Sequence, residues 1–571
     1  MRLATVLRWL VLSLPVAVAA GVPVATADPA AAPSAAAIRA HMEFLADDLL
    51  EGRSAGTDGY GIAAAYVASV FRSLGLAPAG DDGGWFQDYR VIESRLVPGS
   101  GRVILTRNGG DEPLEFDRDF MMGGDYLSRA ATVTAPATFV GFGVTAPDLG
   151  YDDYAGVDVG GRIVVMFGGA PSRFPHDQRA YYSSTRVKLD NAVARGAIGV
   201  LFCFTDDFLE RNPWPEIVDS YAFPGMRWVG ADGTVAGTWP EIRGAAVLSP
   251  AGLARLLADS GHDPAAVQAR AAAGETGSFE LPGTVTLERA STHRTMTDRN
   301  VAGLLPGGDP ALRDEVVVIT GHLDHIGIGP EVDGDAIYNG YYDNAAGIAV
   351  MLESARLLAR SPARPARSVL FLAVGAEEKG LLGSDYFAEY PTVDRDALVA
   401  NVNFDMPLFL YPLADVVAYG AEHSSLQAPS AAAAQAVDLI LSPDPMPEEV
   451  IFIRSDQFSL IRRGVPAVYL MPGFRSRDPD IDGAQVFGEF LRRRYHKPGD
   501  APGLPFHDES AVRFVAMNVH LIRAIADDPQ RPRWNDGDFF GEMFGPGAER
   551  SPAGRPGDGG RERVRTEANE R

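Results

Sequence analysis

The sequence predicts an α/β fold in which helices flank a largely parallel β-sheet. Short apolar, β-branched runs recur in the second half of the chain, at residues 316–320, 368–374, 398–404 and 467–470. Continuous apolar runs of this length are typical of strands buried on both faces of a parallel sheet. Helical patterns lie between some of these runs, and a final amphipathic helix over 511–525 closes the series.

The size and composition of the chain describe a globular protein with more than one domain. It has 571 residues, an apolar fraction of 46% and a mean hydropathy of −0.04. A chain of this length exceeds one ordinary hydrophobic core. The formal net charge of −24 argues against nucleic acid or an anionic membrane as the main partner, because both require a basic face. The sequence sets no oligomeric state.

The N-terminus has the pattern of a secretory signal peptide. Arg2 and Arg8 precede an apolar run over 10–20, and the small residues Ala25-Thr-Ala27 follow. This pattern predicts that residues 1–27 are removed on export to the periplasm or the medium, with cleavage nearer Ala20 as the alternative. The apolar run is too short to span a bilayer, and we expect no membrane span elsewhere.

The middle of the chain has a different sequence pattern, in which short runs typical of strands are separated by Gly and Pro turns. We therefore predict that 129–291 is a mostly β module inserted between two parts, 38–128 and 292–528, of the α/β domain. Residues 545–571 are rich in Gly, Pro, Arg and Glu and almost lack apolar side chains. This composition predicts a disordered tail. The single cysteine, Cys203, lies in an apolar run and is expected to be a buried small hydrophobe.

Polar side chains cluster where the predicted strands of the α/β domain end. His322 follows the first strand, an acidic pair follows the second and a single acid follows the third. A further acid precedes a predicted helix, and a second histidine lies in a loop ahead of the last helix. Because parallel strands end at one edge of a sheet, these groups could meet there. The candidates are His322, Asp343, Glu377, Glu378, Asp405 and His496.

This set of side chains has the chemistry of a catalytic metal site. Mixed imidazole and carboxylate ligands without a thiolate suit Zn²⁺ or a similar borderline metal. Two metals about 3.5–4 Å apart can clamp one reaction centre, and a neighbouring free carboxylate can take a proton from the attacking water. The adjacent acids Glu377 and Glu378 could supply such a base and a ligand together.

Together with further motifs, these residues resemble the zinc-dependent exopeptidases with co-catalytic metals. That family includes secreted bacterial aminopeptidases and glutamate carboxypeptidases, and the resemblance covers most of 38–525. The motifs outside the ligand set are Glu51-Gly-Arg-Ser-Ala-Gly-Thr57, Asn300-Val-Ala-Gly-Leu-Leu-Pro-Gly307, Ser455-Asp-Gln-Phe458 and Gly464-Val-Pro-Ala467. The predicted insert, with Gly141-Phe-Gly143 and Tyr151-Asp-Asp-Tyr-Ala-Gly156, is similar to a protease-associated domain.

The resemblance implies a mixed, largely parallel sheet and two Zn ions per chain. Asp343 would bridge both ions. The remaining metal ligands would be His322 and Asp405 on one ion, and Glu378 and His496 on the other.

The resemblance also implies the catalytic roles. Glu377 would be the general base for a metal-bridging hydroxide, and Asp324 would orient His322 from outside the metal shell. A cis peptide would join Asp343 and Asn344. His325 is expected to be a pocket or outer-shell residue.

The resemblance implies an exported aminopeptidase that hydrolyses the N-terminal residues of peptides. A carboxypeptidase or dipeptidase on the same scaffold is the alternative, because the ligand motifs do not define which end of the substrate is bound. A non-catalytic, receptor-like binding protein would have lost ligands, and none is lost here. Ser455 and Asp456 could line the substrate pocket. The run Gly52-Arg-Ser-Ala-Gly56 matches a serine-hydrolase elbow but lacks a preceding strand, so we interpret it as a loop.

Overall fold

The structure is a computed structural model, and it describes residues 32–107 and 109–546. The predicted signal peptide, residues 1–27, lies outside the described residues. The predicted disordered tail, 545–571, does so apart from residues 545 and 546. A search of the described helices for one both long and apolar enough to cross a bilayer finds none.

The described chain contains fifteen α-helices. In chain order they are α1 Ala35–Leu45, α2 Asp58–Ser73, α3 His176–Ser183, α4 Thr185–Ala194, α5 Asp206–Arg211, α6 Trp214–Ser220, α7 Pro250–Leu257, α8 Pro264–Ala272, α9 Ala346–Arg360, α10 Leu382–Glu389, α11 Gln427–Ala436, α12 Gln457–Ile461, α13 Gly483–Arg493, α14 Asp508–Asp527 and α15 Phe539–Phe544.

The β-strands form two main sheets and two short hairpins. In chain order the strands are β1 Ala77–Pro78, β2 Phe86–Leu96, β3 Arg102–Arg107, β4 Gly110–Pro113, β5 Phe120–Met121, β6 Ala130–Ala135, β7 Ala137–Val140, β8 Thr145–Ala146, β9 Tyr151–Asp152, β10 Ile163–Phe167, β11 Gly199–Cys203, β12 Gly225–Val229, β13 Ala245–Leu248, β14 Ser278–Glu280, β15 Thr284–Leu305, β16 Val316–His322, β17 Gly327–Val332, β18 Asp335–Tyr338, β19 Ser368–Val374, β20 Leu398–Phe404, β21 Asp415–Tyr419, β22 Ile440–Ser442 and β23 Ala467–Pro472.

The larger sheet is mixed, and its centre is parallel. Its strands follow the order β12-β2-β15-β19-β16-β20-β23-β21-β22. Strands β19, β16, β20 and β23 run parallel, while β15 and β21 pair antiparallel at either side of them. Every residue of β16, β19 and β20 is buried, as a strand covered on both faces requires. The predicted α/β fold with a mixed, largely parallel sheet is therefore confirmed.

Helices cover this sheet through one large hydrophobic core. Twelve of the fifteen residues of α9 are buried, and α1, α2 and α14 pack against the same core. Helix α2 begins where the Thr57 side chain accepts a hydrogen bond from the Tyr60 N–H, and it ends ahead of Gly75, whose φ is +76°. A glycine in this left-handed conformation is the usual stop of a helix.

A second sheet with its own apolar core is formed mainly by the segment 129–291, and β5, from before this segment, is one of its edge strands. The sheet has the order β14-β7-β10-β11-β13-β5, and its four central strands are parallel. The segment also contains six α-helices, α3 to α8, which is more helix than a mostly β module would have. Parallel neighbours cannot be joined by tight turns, so the chain needs crossover helices between them. The long strand β15 pairs with β6 near its N-terminal end. Towards its C-terminal end it pairs with β2 and then with β19, where it is part of the larger sheet.

Arg53 explains the loop that mimics a serine-hydrolase elbow. Its fully buried guanidinium donates hydrogen bonds to backbone carbonyls of three separate segments. Nε lies 2.9 Å from Leu323 O, Nη2 lies 3.0 Å from Gly340 O, and Nη1 contacts Leu45 O. The loop thus fastens α1 to the two segments that flank the candidate site, and Ser54 beside it is only part of a turn.

We expect Arg53→Met to destabilise the fold strongly. At about 1–3 kcal/mol for each buried acceptor left without a donor, the free energy of unfolding should fall by roughly 3 kcal/mol or more. Urea unfolding followed by tryptophan fluorescence measures the change. Arg39→Met is the matched control, because Arg39 forms an exposed ion pair with Asp508 that is worth at most about 1 kcal/mol. Equal losses in both variants would contradict this role for Arg53.

Candidate metal centre

Three adjacent parallel strands deliver acidic and imidazole side chains to one edge of the larger sheet. His322 is the last residue of β16. Glu377 and Glu378 lie in the loop of residues 375–381 after β19, here named the catalytic loop, and Asp405 directly follows β20. Because β19, β16 and β20 are neighbours, these side chains converge where the strands end.

Asp343 reaches the same place from a π-helical turn, Tyr341–Ala345, ahead of α9. The buried Asp500 carboxylate holds this turn by accepting hydrogen bonds from the N–H of Tyr342, at 3.0 and 3.1 Å, and from the N–H of Asp343, at 2.9 Å. The peptide bond between Asp343 and Asn344 is cis, as the resemblance implied.

Asn344 ties this turn to the neighbouring strands. Its Nδ2 donates to Phe404 O at 2.9 Å and to His322 O at 3.3 Å, and its Oδ1 accepts from the Gly347 N–H at 2.9 Å. The amide side chain therefore fixes Asp343 relative to the strand ends that carry His322 and Asp405. Sequence reasoning gave no role to Asn344 or Asp500, although Asp500 lies in the His496 loop.

The Asp343 carboxylate stands between the two histidines. Its Oδ1 lies 3.2 Å from His322 Nε2, and its Oδ2 lies 3.2 Å from His496 Nε2. Asp405 Oδ1 is also 3.2 Å from His322 Nε2, while Glu378 Oε2 is 3.1 Å from His496 Nε2. The structure thus brings all five predicted ligands together. They form two histidine–carboxylate pairs that share one aspartate.

Asp324 acts on the catalytic loop as well as on His322. Its carboxylate accepts hydrogen bonds from the N–H groups of Glu377, at 3.0 Å, and Glu378, at 3.3 Å. The contact with His322 Nδ1 is made by the backbone carbonyl of Asp324 at 3.2 Å, while the carboxylate lies 3.9 Å away. Burial raises the pKa of Asp324 to about 6. Asp324 therefore positions the acidic pair directly.

Several charged histidine and carboxylate side chains meet at this site, which is largely buried. Burial opposes the charged form of His496, yet Glu378 and Asp343 raise its pKa to about 10. Burial likewise opposes the charged form of His322, and Asp405 and Glu377 raise its pKa well above the ordinary value. Desolvation raises the pKa of Glu377 itself, and the adjacent Glu378 raises it further.

The donors fit a zinc-type metal ion. The ligand atoms of His322, Asp343 and Glu378 all lie within 4.8 Å of one another. They are imidazole nitrogens and carboxylate oxygens, the ligands of catalytic zinc. Glu378 Oε1 is buried and lies 2.8 Å from His325 Nδ1 without an aligned hydrogen bond, and the His325 ring forms no hydrogen bond with a described residue. Paired cations would balance the carboxylates that meet here.

Neighbours of the ligand set refine the site. Ser455 donates a hydrogen bond from its hydroxyl to Asp405 Oδ2 at 2.7 Å, so it supports a predicted ligand. Asp456 is fully buried, and neither of its carboxylate oxygens has a hydrogen-bond partner among the described residues. Burial raises the pKa of Asp456 to about 7. The side chain of His496 is 39% exposed and lies on the open side of the site.

A carboxylate shared by two histidine–carboxylate pairs, with a further acid beside them, is typical of the class of zinc-dependent metallohydrolases. Comparison with known families agrees, since residues 300–519 match the model of Peptidase family M28. Over this segment the chain is similar to peptidase family M28. This segment contains every predicted metal ligand and Glu377.

Curated relatives match over part of the chain. Leupeptin-inactivating enzyme 1 of Streptomyces exfoliatus is 31% identical over 131 residues, which cover 23% of this chain and 27% of that protein. Aminopeptidase YwaD of Bacillus subtilis (strain 168) is 33% identical over 94 residues, which cover 16% of this chain and 18% of the relative. The chain thus spans less than a third of the length of these relatives.

A solved structure shares the fold over most of the chain. The aminopeptidase from Aneurinibacillus sp. strain AM-1 superimposes with a TM-score of 0.51 at 20% sequence identity. The superposition covers 88% of this chain and 96% of that structure. At this identity the likeness establishes the architecture of the chain.

Proposed function

We propose that the protein is a zinc aminopeptidase that removes N-terminal residues from peptides. The single observation that carries the proposal is the shared carboxylate of Asp343, whose two oxygens face His322 and His496 at equal distances of 3.2 Å. Similar proteins include aminopeptidases and a probable zinc metalloprotease, which supports the same activity.

The proposed centre takes two zinc ions. His322 and Asp405 would hold one ion, Glu378 and His496 would hold the other, and Asp343 would contact both. When bound, the ions supply Lewis acidity to the scissile carbonyl and to the attacking water. The hydrogen bonds from Asp500 and Asn344 hold the shared carboxylate in place.

Glu377 is the residue that moves the proton. Its carboxylate makes no hydrogen bond to a described residue and is half-buried, whereas its N–H is fixed by Asp324 at 3.0 Å. Glu377 takes a proton from the attacking water at its free carboxylate and delivers that proton to the nitrogen of the leaving amine. Burial and the adjacent Glu378 raise the pKa of the Glu377 carboxyl.

We further propose how the rest of the chain serves this activity. Residues 1–27 would direct export, after which the mature enzyme works in the periplasm or the medium. The catalytic domain would consist of 38–128 and 292–528, and 129–291 would be a protease-associated domain. The second sheet and its core, which lie mainly within 129–291, support this division, while β5 joins that sheet from before residue 129 and β12 of the segment joins the larger sheet.

We expect a chelator to abolish hydrolysis of aminoacyl-nitroanilides and zinc to restore it. Elemental analysis of the purified protein should find about two zinc ions per chain, as a paired site requires. Substrates with a blocked amino end should resist cleavage, because the proposed enzyme needs a free N-terminus. Cleavage of amino-blocked peptides together with resistance of aminoacyl-nitroanilides would instead establish a carboxypeptidase. Activity that survives complete removal of metal would contradict the proposal.

A further inference from the structure

A cavity lies between the inserted segment and the catalytic loop. It has a volume of about 190 Å³ and is bordered by Arg186 of α4, Trp228 of β12, Trp239 and Gly380. This volume is below the roughly 300–1,000 Å³ of sites for drug-sized ligands, so it suits a smaller molecule. Neither the predicted metal ligands nor Glu377 line it.

Arg186 lines this cavity and has only a long ion pair of its own. Its guanidinium forms no hydrogen bond with a described residue, and Asp385 Oδ2, the carboxylate oxygen with which it pairs, lies 3.9 Å from Nη2. Asp385 is already engaged, because it accepts hydrogen bonds from Arg462 at 2.7 Å and from Trp228 Nε1 at 3.0 Å. The Arg186 side chain is 29% exposed, and a guanidinium with unused donors can form charge-assisted hydrogen bonds with an anion that enters the cavity.

The charge around Arg186 is positive although the whole chain is acidic. Burial lowers the pKa of Arg186 to about 10, so the side chain stays protonated at neutral pH. The charged groups that act on it are Arg227, Arg462, Asp385 and Asp190. Three guanidiniums thus face two carboxylates, which leaves one positive charge in excess.

Apolar surfaces complete the cavity. Two indole rings line it, and each is held by its N–H, since Trp239 Nε1 donates to Asp190 at 2.7 Å and Trp228 Nε1 donates to Asp385. Leu189 and Leu382 also line the cavity. Fixed aromatic faces next to a cation favour a ligand with a compact apolar body and an anionic end.

We propose that this cavity binds the α-carboxylate of an apolar amino-acid residue, with the carboxylate on Arg186 and the side chain between Trp228 and Trp239. Arg227 adds a second donor, because its Nη1 donates to Met226 O at 2.7 Å while no hydrogen bond engages its Nη2 within the described chain. Two sources have this chemistry: a free amino acid, and the C-terminal residue of a peptide.

Isothermal titration calorimetry on the whole purified protein tests the proposal with L-leucine, N-acetyl-Ala-Ala-Leu and L-leucinamide. Leucine binding without binding of the acetylated peptide would identify free amino acids as the source, and binding of the acetylated peptide would identify peptide ends. Leucinamide, which lacks the carboxylate, should bind at least tenfold more weakly. Arg186→Met should weaken carboxylate binding about tenfold or more, because it removes a charge-assisted hydrogen bond.

Two variants control the titration. Arg129→Met removes an exposed arginine outside the cavity and should leave binding unchanged. Arg227→Met removes the second guanidinium, should also weaken binding, and decides the question if Arg186→Met does not fold. The proposal is overturned if neither carboxylate binds at millimolar concentration, if leucinamide binds as tightly as leucine, or if the folded variants bind as the parent does. The titrations are made in the Glu377→Gln background, in which L-leucinamide is not hydrolysed to leucine, so none of these readouts depends on hydrolysis.

Discussion

Replacing Glu377 with glutamine is expected to lower kcat for aminoacyl-nitroanilides by about 10²–10⁴-fold, the range that general acid–base catalysis contributes. The amide keeps the size of the side chain but cannot take the proton of the attacking water. The fold should not change, because the loop is held by backbone hydrogen bonds from Glu377 and Glu378 to Asp324 and not by the Glu377 carboxylate. Zinc content should therefore remain at the parent level.

Steady-state kinetics with elemental analysis of the same samples measures both parts of this result. Glu331→Gln is the matched control, since Glu331 is exposed on strand β17 and should change neither kcat nor zinc content. Full activity of Glu377→Gln with zinc bound would show that Glu377 is not the general base. A loss of zinc in this variant would instead make Glu377 a ligand.

The α/β domain could be predicted from the sequence because its central strands are continuous apolar runs. The predicted ranges 368–374 and 398–404 coincide with β19 and β20, since strands buried on both faces leave an unbroken pattern. The convergence of His322 and Asp405 followed from the same pattern, because the ends of parallel strands share an edge.

Residues that act through distant backbone groups could not be predicted. Asp500 is separated from Asp343 by 157 residues, and its role depends on two N–H groups that only the folded turn presents to it. Arg53 likewise binds carbonyls from segments far away in the chain. A periodic pattern records which face of an element is buried, and it carries no signal for such contacts.

The short helices α5 and α6 of the inserted segment escaped prediction for a different reason. Helices α5 and α6 have six and seven residues, too few turns for an apolar stripe to repeat. The central strands β10 and β11 were visible as apolar runs, but their parallel pairing was not. A parallel pair of this kind needs a crossover connection, which α3 and α4 supply here.

Asp343→Ala is expected to abolish activity and to empty both metal positions. The two oxygens of this carboxylate face the two histidine–carboxylate pairs, so its removal takes one ligand from each proposed ion. Losing an outer-shell partner already costs about 10–100-fold in metal affinity, and loss of a direct ligand shared by both ions should exceed that at each position. Elemental analysis after dialysis should find less than one zinc per chain.

The comparison with Asp405→Ala makes this prediction specific to the shared ligand. Asp405 contacts His322 and is supported by Ser455, and no contact of 4.0 Å or less joins its carboxylate to His496 within the described chain. Its removal should therefore weaken one position and leave about one zinc ion bound, whereas Asp314→Ala, at a fully exposed carboxylate, should leave both. Equal zinc content in the Asp343 and Asp405 variants would show that Asp343 does not join the two positions. A difference of one ion between them follows only if a single carboxylate serves both, because an ordinary ligand can disturb no more than its own metal.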